Sequence, residues 1–271
     1  MDLEALFHAA KEGNTGSVAS QIDAAPYLVH VRNPDTDAWD QSTLLHTVSK
    51  HGHLELVRQL VDLGAEVYSN PMASYPAVII AAWNSQQDIV DYFLKEIPDQ
   101  ASGTRGLGIT INLAARQGWI DLVRENINID PLSVHQRGWI GDTALHWSSH
   151  NGHGEIVELL LDSGADIDAN EIGWAGGKPL HWASEHEPVT VRILLDRGAD
   201  VNARNLKEGS DFLGFTPLMM NASQKNDCAE ATEILIAGGA DLGAKDPAGR
   251  TALDIALEKG LKRIPEVLRR K

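Results

Sequence analysis

The chain has 271 residues, enough for a large domain with a continuous core. Hydrophobic residues make up 43% and charged residues 23%, a balance that excludes wholesale disorder. The net charge of −15 argues against duplex nucleic acid and anionic membrane surfaces as partners, because both require cationic neutralisation.

Along the chain one pattern recurs. Ala9-Ala10-Lys11-Glu12-Gly13 predicts a first helix, more polar than those that follow through Glu4, Lys11 and Glu12. Thr43-Leu44-Leu45-His46 opens a second unit, closed by Gly64-Ala65-Glu66. The third and fourth are weaker, marked by Ile79-Ile80-Ala81-Ala82 and Asn112-Leu113-Ala114-Ala115, and Glu125-Asn126-Ile127-Asn128 interrupts an outer apolar face. The fifth is the clearest: Thr143-Ala144-Leu145-His146-Trp147-Ser148, then Ile156-Val157 with Leu159-Leu160-Leu161, then Gly164-Ala165-Asp166. Lys178-Pro179-Leu180-His181-Trp182-Ala183 and Gly198-Ala199-Asp200 repeat it, with Gly198 34 residues after Gly164. Thr216-Pro217-Leu218-Met219-Met220 with Gly239-Ala240-Asp241, and Thr251-Ala252-Leu253 with a basic end, make about eight units.

The physical logic is local. Thr143, Thr216 and Thr251 suit helix N-caps, and Pro179 and Pro217 suit a first helical turn. Gly164, Gly198 and Gly239 suit a left-handed stop. Each helix pair carries an apolar face that it cannot bury alone, so neighbours must stack. These residues are similar to the ankyrin repeat, and the resemblance covers essentially the whole chain. It implies an all-α ankyrin-repeat solenoid with short hairpin-like loops, expected as a single domain over residues 1–271 with polar capping units.

Three connections are longer than the family's turn: Asn33 to Ser42, Glu171 to Gly177 and Asn205 to Phe215. Insertions in repeat proteins gather on one face, often the binding face. Four places before the helix start stand Trp39, Trp139, Trp174 and Phe212. The residues following the Ala-Ala slot are expected on the same face: Lys50 and His51, Trp83 and Asn84, Arg116 and Gln117, His150 and Asn151, Glu185 and His186. Stacking spaces equivalent positions by about 10 Å. The predicted contact set is therefore Trp39, Trp83, Trp139, Trp174, Phe212, His150, Glu185 and His186, aromatic anchors beside convergent polar groups.

His46, His146 and His181 share the helix-start slot, where the resemblance implies bonding to loop backbone. Trp147 and Trp182 are expected to pack between helices. His146/His150 and His181/Glu185 have the i, i+4 spacing that chelates zinc along a helix, but the structural role of the first member argues against it, so no metal site is expected. The single cysteine, Cys228, excludes a disulfide framework and a Cys-based zinc site. The glycines around Gly173 to Lys178 and Gly103 to Gly108 lack the order and the preceding strand of a nucleotide loop. No catalytic residue and no cofactor is expected.

Between Arg137 and Lys178 there is no cation, while Asp142, Glu155, Glu158, Asp162, Asp166, Asp168 and Glu171 are present, a sector that would favour a basic partner. No run approaches the ~20 apolar residues of a membrane span, and the acidic start lacks a signal-peptide n-region. The expectation is a cytoplasmic, non-catalytic, monomeric module that binds another protein in its concave groove and along its hairpin-loop edge. The alternative is a small-molecule receptor or enzyme in the same groove, motivated by 7 Trp and 11 His.

Overall fold

A computed structural model describes residues 2–34, 42–67, 76–97, 111–138 and 140–270. Among these, sixteen α-helices follow one another as eight pairs, and the one β-type pairing is an isolated bridge between Arg32 and Thr43. Contacts gather the chain into two compact units, residues 1–109 and 110–271.

In the first unit the pairs are α1 (Leu3–Lys11) with α2 (Thr15–Ala24), α3 (Leu44–His51) with α4 (Leu54–Asp62), and α5 (Ala77–Trp83) with α6 (Gln87–Asp91). Helices α1, α3 and α5 pack in one row, and α2, α4 and α6 in a second. Helix α6 runs into a wide turn of π-type over Tyr92–Glu96 that buries Phe93 completely. Arg58 clamps this turn from α4, bonding both carboxylate oxygens of Glu96 at 2.6 Å with its guanidinium 4.5 Å from the Tyr92 ring centre.

The second unit contains α7 (Ile111–Gln117), α8 (Ile120–Ile129), α9 (Ala144–His150), α10 (Gly154–Asp162), α11 (Pro179–Ser184), α12 (Pro188–Asp196), α13 (Pro217–Ser223), α14 (Ala229–Ala237), α15 (Ala252–Glu258) and α16 (Arg263–Arg269). The odd-numbered helices stack as an inner row and the even-numbered as an outer row. The inner row is short and rich in small residues, with Ala144, Ser148, Ala183 and Ala222 fully buried, so adjacent backbones pack closely. The outer helices bury one apolar stripe each, such as Ile156, Val157 and Leu160 of α10. Gly164 and Gly198 follow α10 and α12 at φ +88° and +91°, a region where a Cβ is strained, which explains why glycine recurs at this point in the better-matched repeats.

Two sets of side chains stitch neighbouring repeats, and they absorb much of the histidine content. The first is the helix-start slot. The backbone N–H of Thr143 donates to His146 Nδ1 (3.2 Å), so the other ring nitrogen carries the proton and donates to the Gly177 carbonyl of the next loop (3.3 Å). His181 repeats this with Lys178 N–H (3.1 Å) and the Phe215 carbonyl (3.1 Å), and His46 receives the Thr43 N–H (3.2 Å). The second set sits before the outer helix. His53 meets the Lys11 carbonyl at 2.7 Å, His153 meets that of Arg116 at 3.2 Å, and Asn226 donates to that of Glu185 at 2.9 Å. Each ties a helix pair to the end of the preceding inner helix.

Candidate functional site

The loops of the second unit form a ladder. Ile172 and Gly173 donate their N–H groups to the Ile140 carbonyl (both 2.8 Å), and Lys207 N–H donates to Ala175 (3.4 Å). Arg137 bridges the Gly141 and Asn170 carbonyls, and Arg204 bridges those of Gly214 and Lys245 in the same manner. The extended loop 171–177 has its own organiser. Glu171 is only 1% exposed, and its carboxylate accepts the N–H groups of Trp174 (2.8 Å), Ala175 (2.5 Å), Gly176 (2.6 Å) and Gly177 (3.2 Å). Burial alone would raise its pKa, but these four donors hold it below the usual carboxylate value.

The clamped loop presents Trp174, 44% exposed, to a line of rings. Phe212 and Trp182 each lie with ring centres 5.9 Å from Trp174, edge to face. Phe215 continues beyond Phe212 at 5.5 Å, and Trp147 lies 5.1 Å from Trp182 at 90°. Arg116 closes the far end with its guanidinium 4.3 Å from the Trp147 ring centre, a cation–π contact. Edge-to-face rings at these separations attract one another beyond their buried area.

Three polar groups meet on this line. His150 ends α9, and its ring lies 5.8 Å from Trp182 and 4.7 Å from His186. Its Nδ1 is 3.7 Å from a carboxylate oxygen of Glu185, the residue just past α11. Glu185 is 5% exposed, and burial pushes its carboxyl up to about 7. Burial, then the adjacent His186, keeps the His150 imidazole below its ordinary value. Glu185 Oε1, His150 Nδ1 and Trp182 Nε1 are buried without a hydrogen-bond partner among the described residues.

Of the predicted contact set, Trp174, Phe212, His150, Glu185 and His186 thus form one connected cluster. Trp83 is exposed at the end of α5 in the first unit, and Trp39 and Trp139 lie outside the described residues. Sequence reasoning placed Trp182 in the core, and it is 3% exposed, yet it is also the hub of the ring line. Trp147, expected to be core, is half-buried and hydrogen-bonds Asp142 through Nε1 at 2.5 Å. The acidic sector needs correcting. Asp142 and Glu171 are buried, so neither contributes to a surface field. Arg197 pairs with Glu158 and Asp162, and Lys178 with Asp168. A shallow concavity of about 740 Å³ lies elsewhere, on the outer row, lined by Ile120, Arg124, Glu155, Glu158, Val189 and Ile193.

Stacked helix pairs joined by hydrogen-bonded loops define a tandem-repeat protein. Models of the ankyrin repeat match residues 6–102, 111–205 and 213–247, and the chain belongs to the ankyrin-repeat family. It is similar to the putative palmitoyltransferase ZDHHC13 of Danio rerio, 25% identical over 226 residues, which is 82% of this chain and 33% of that protein. It is also similar to the transient receptor potential cation channel subfamily A member 1 homolog of Caenorhabditis elegans, 24% identical over 219 residues, or 81% of this chain and 14% of that protein. The chain thus spans a minor part of either relative's length. No helix among the described residues is long and apolar enough to cross a membrane.

Proposed function

We propose that this chain is a non-catalytic protein-interaction module whose docking face is the aromatic line of the second unit. Ankyrin repeats generally serve as interaction modules. The observation that carries the reading is Trp174, nearly half exposed yet held by Phe212 and Trp182 on a loop clamped by Glu171. A large ring already ordered before binding costs little entropy to engage, which is the character of an interface hot spot. Phe212 and half-exposed His186 extend the contact.

Partner capture from native lysate with the wild-type chain identifies the partner. Trp174→Ala with Phe212→Ala should then weaken binding at least about 30-fold, the loss of a small hot-spot cluster. Retention of every partner at wild-type strength overturns the assignment. The unpaired part of the acidic sector, Glu155 and Asp166, favours a basic partner surface, with affinity falling modestly as salt rises.

A further inference from the structure

The i, i+4 histidine pairs within helices do not converge on a metal, because His146 and His181 spend their ring nitrogens on loop backbone. Stacking brings together the second member of each pair instead. His150 and Glu185 occupy equivalent positions in consecutive repeats, and His186 follows directly. One donor atom from each of the three lies within 4.8 Å of the other two.

We infer that His150, Glu185 and His186 form a binding site for a divalent cation of the zinc class, which shares His186 with the docking face but does not rest on that role. Two imidazoles and one carboxylate are a ligand set for borderline cations, which imidazole selects over magnesium and calcium. The buried carboxylate supplies a second line of argument. Glu185 is 5% exposed, has Oε1 without a partner among the described residues, and meets no lysine or arginine in an ion pair there. A carboxylate buried in that way is costly while ionised, and a cation bound beside it would compensate that charge. His150 turns a buried Nδ1 toward the same place, 3.7 Å from a Glu185 carboxylate oxygen.

The scaffold supports the donors. Asn226 holds the Glu185 carbonyl (2.9 Å) and Asn221 that of Ser184 (2.9 Å), fixing the turn that carries both Glu185 and His186. Trp147 and Trp182 wall the His150 ring. Of the charges nearby, Arg116 is engaged on the Trp147 face, and Glu187 lies 3.7 Å from His186 Nε2. Donor separations of up to 4.8 Å exceed the about 3.3 Å edge of a tetrahedral site with bonds near 2.0 Å, so the donors close inward on binding. His186, half-exposed, has room to swing. Three protein donors leave a position for water or a fourth ligand.

The test uses the full chain stripped with a chelator, titrated with Zn²⁺ by calorimetry and thermal unfolding, and with Co²⁺ by visible absorption. One equivalent should bind, raise Tm and give the intense visible bands of a low-symmetry cobalt site. His150→Gln, Glu185→Gln and His186→Gln should each weaken Zn²⁺ binding by at least about 10-fold, since losing a ligand costs no less than losing one of the outer partners that orient ligands. Glu185→Gln removes a buried charge, so its metal-free form should melt no lower than wild type, and His186→Gln alters a partly exposed side chain. His51→Gln, in the other close histidine pair (His51 and His53, ring centres 6.5 Å apart), should bind as wild type. Failure of Zn²⁺ at tenfold excess to shift Tm, or wild-type affinity in all three variants, overturns the site. So does a loss of binding in His51→Gln that the three variants do not share.

Discussion

The repeat α7–α8 and its neighbour α9–α10 have the same plan and are built from different materials. In α9–α10 the helix-start slot holds His146, which reaches from its own N-cap to the next loop, and the outer helix buries Leu160. In α7–α8 the equivalent positions are Asn112 and Asn126. Asn112 reproduces the forward bond, donating to the Asp142 carbonyl at 3.4 Å, but its Oδ1 is buried without a partner among the described residues. Asn126 sits where Leu160 would, 4% exposed; its amide donates to Leu122 (2.8 Å) and its Oδ1 is likewise unpartnered. The plan therefore tolerates polar substitutes at a cost of about 1–3 kcal/mol for each unsatisfied group. The aromatic cluster lies mainly on the repeats that keep the histidine at the helix start, with Trp147 on α9 and Trp182 on α11, and there the unpartnered buried atoms belong to the cluster itself (His150 Nδ1, Trp182 Nε1 and Glu185 Oε1).

Trp182→Ala empties the hub of the ring line and should cost about 3–5 kcal/mol in urea unfolding, the range of buried aromatic truncations. Glu171→Ala should cost about 3 kcal/mol, because four backbone donors lose one acceptor. That variant should also raise amide exchange at 174–177 above wild type, whereas a cost spread evenly over the chain would refute the clamp.

Acid should distinguish the two repeats. Burial lowers His146 and His181 to about 4, whereas the unfolded chain takes up protons near 6.5. Their contribution is fully present above pH 6.5 and is lost as pH falls toward 4, with a slope of about 1.4 kcal/mol per pH unit for each. His146→Asn, which copies the α7 slot, should remove one such slope, measured as the difference between the two pH–stability curves. Identical curves would mean that His146 takes up its proton as readily in the folded chain as in the unfolded one. Asn126→Leu, which copies α10, should stabilise the protein by about 1–2 kcal/mol, read as a higher urea midpoint at unchanged slope.

Much of the repeat plan is legible in the sequence because its determinants are local. Thr143 and His146 lie within one turn, and Gly164 marks its own φ. The site is legible only in part. Loop position and the Ala-Ala register pick out Trp174, Phe212, His150, Glu185 and His186. The clamp by Glu171 leaves no pattern, because its partners are backbone N–H groups shared by all residue types. It reads instead as one more acidic surface residue, and so does Asp142. The donor triad is hidden for another reason. Helical spacing pairs residues along one helix, while the stack pairs them across repeats about 35 residues apart, a distance no i, i+4 rule samples.

The aromatic and imidazole groups should sit on the firmest repeats, while the polar-cored repeat beside them opens first. Stability in a repeat stack is roughly a sum of unit and interface terms, so local opening follows local quality. Amide hydrogen exchange along the full chain measures this directly. Exchange over 111–135 should exceed that over 145–200 at every time point; slower exchange in 111–135 than in 145–200 would mean that the polar-cored repeat is not the soft point of the stack.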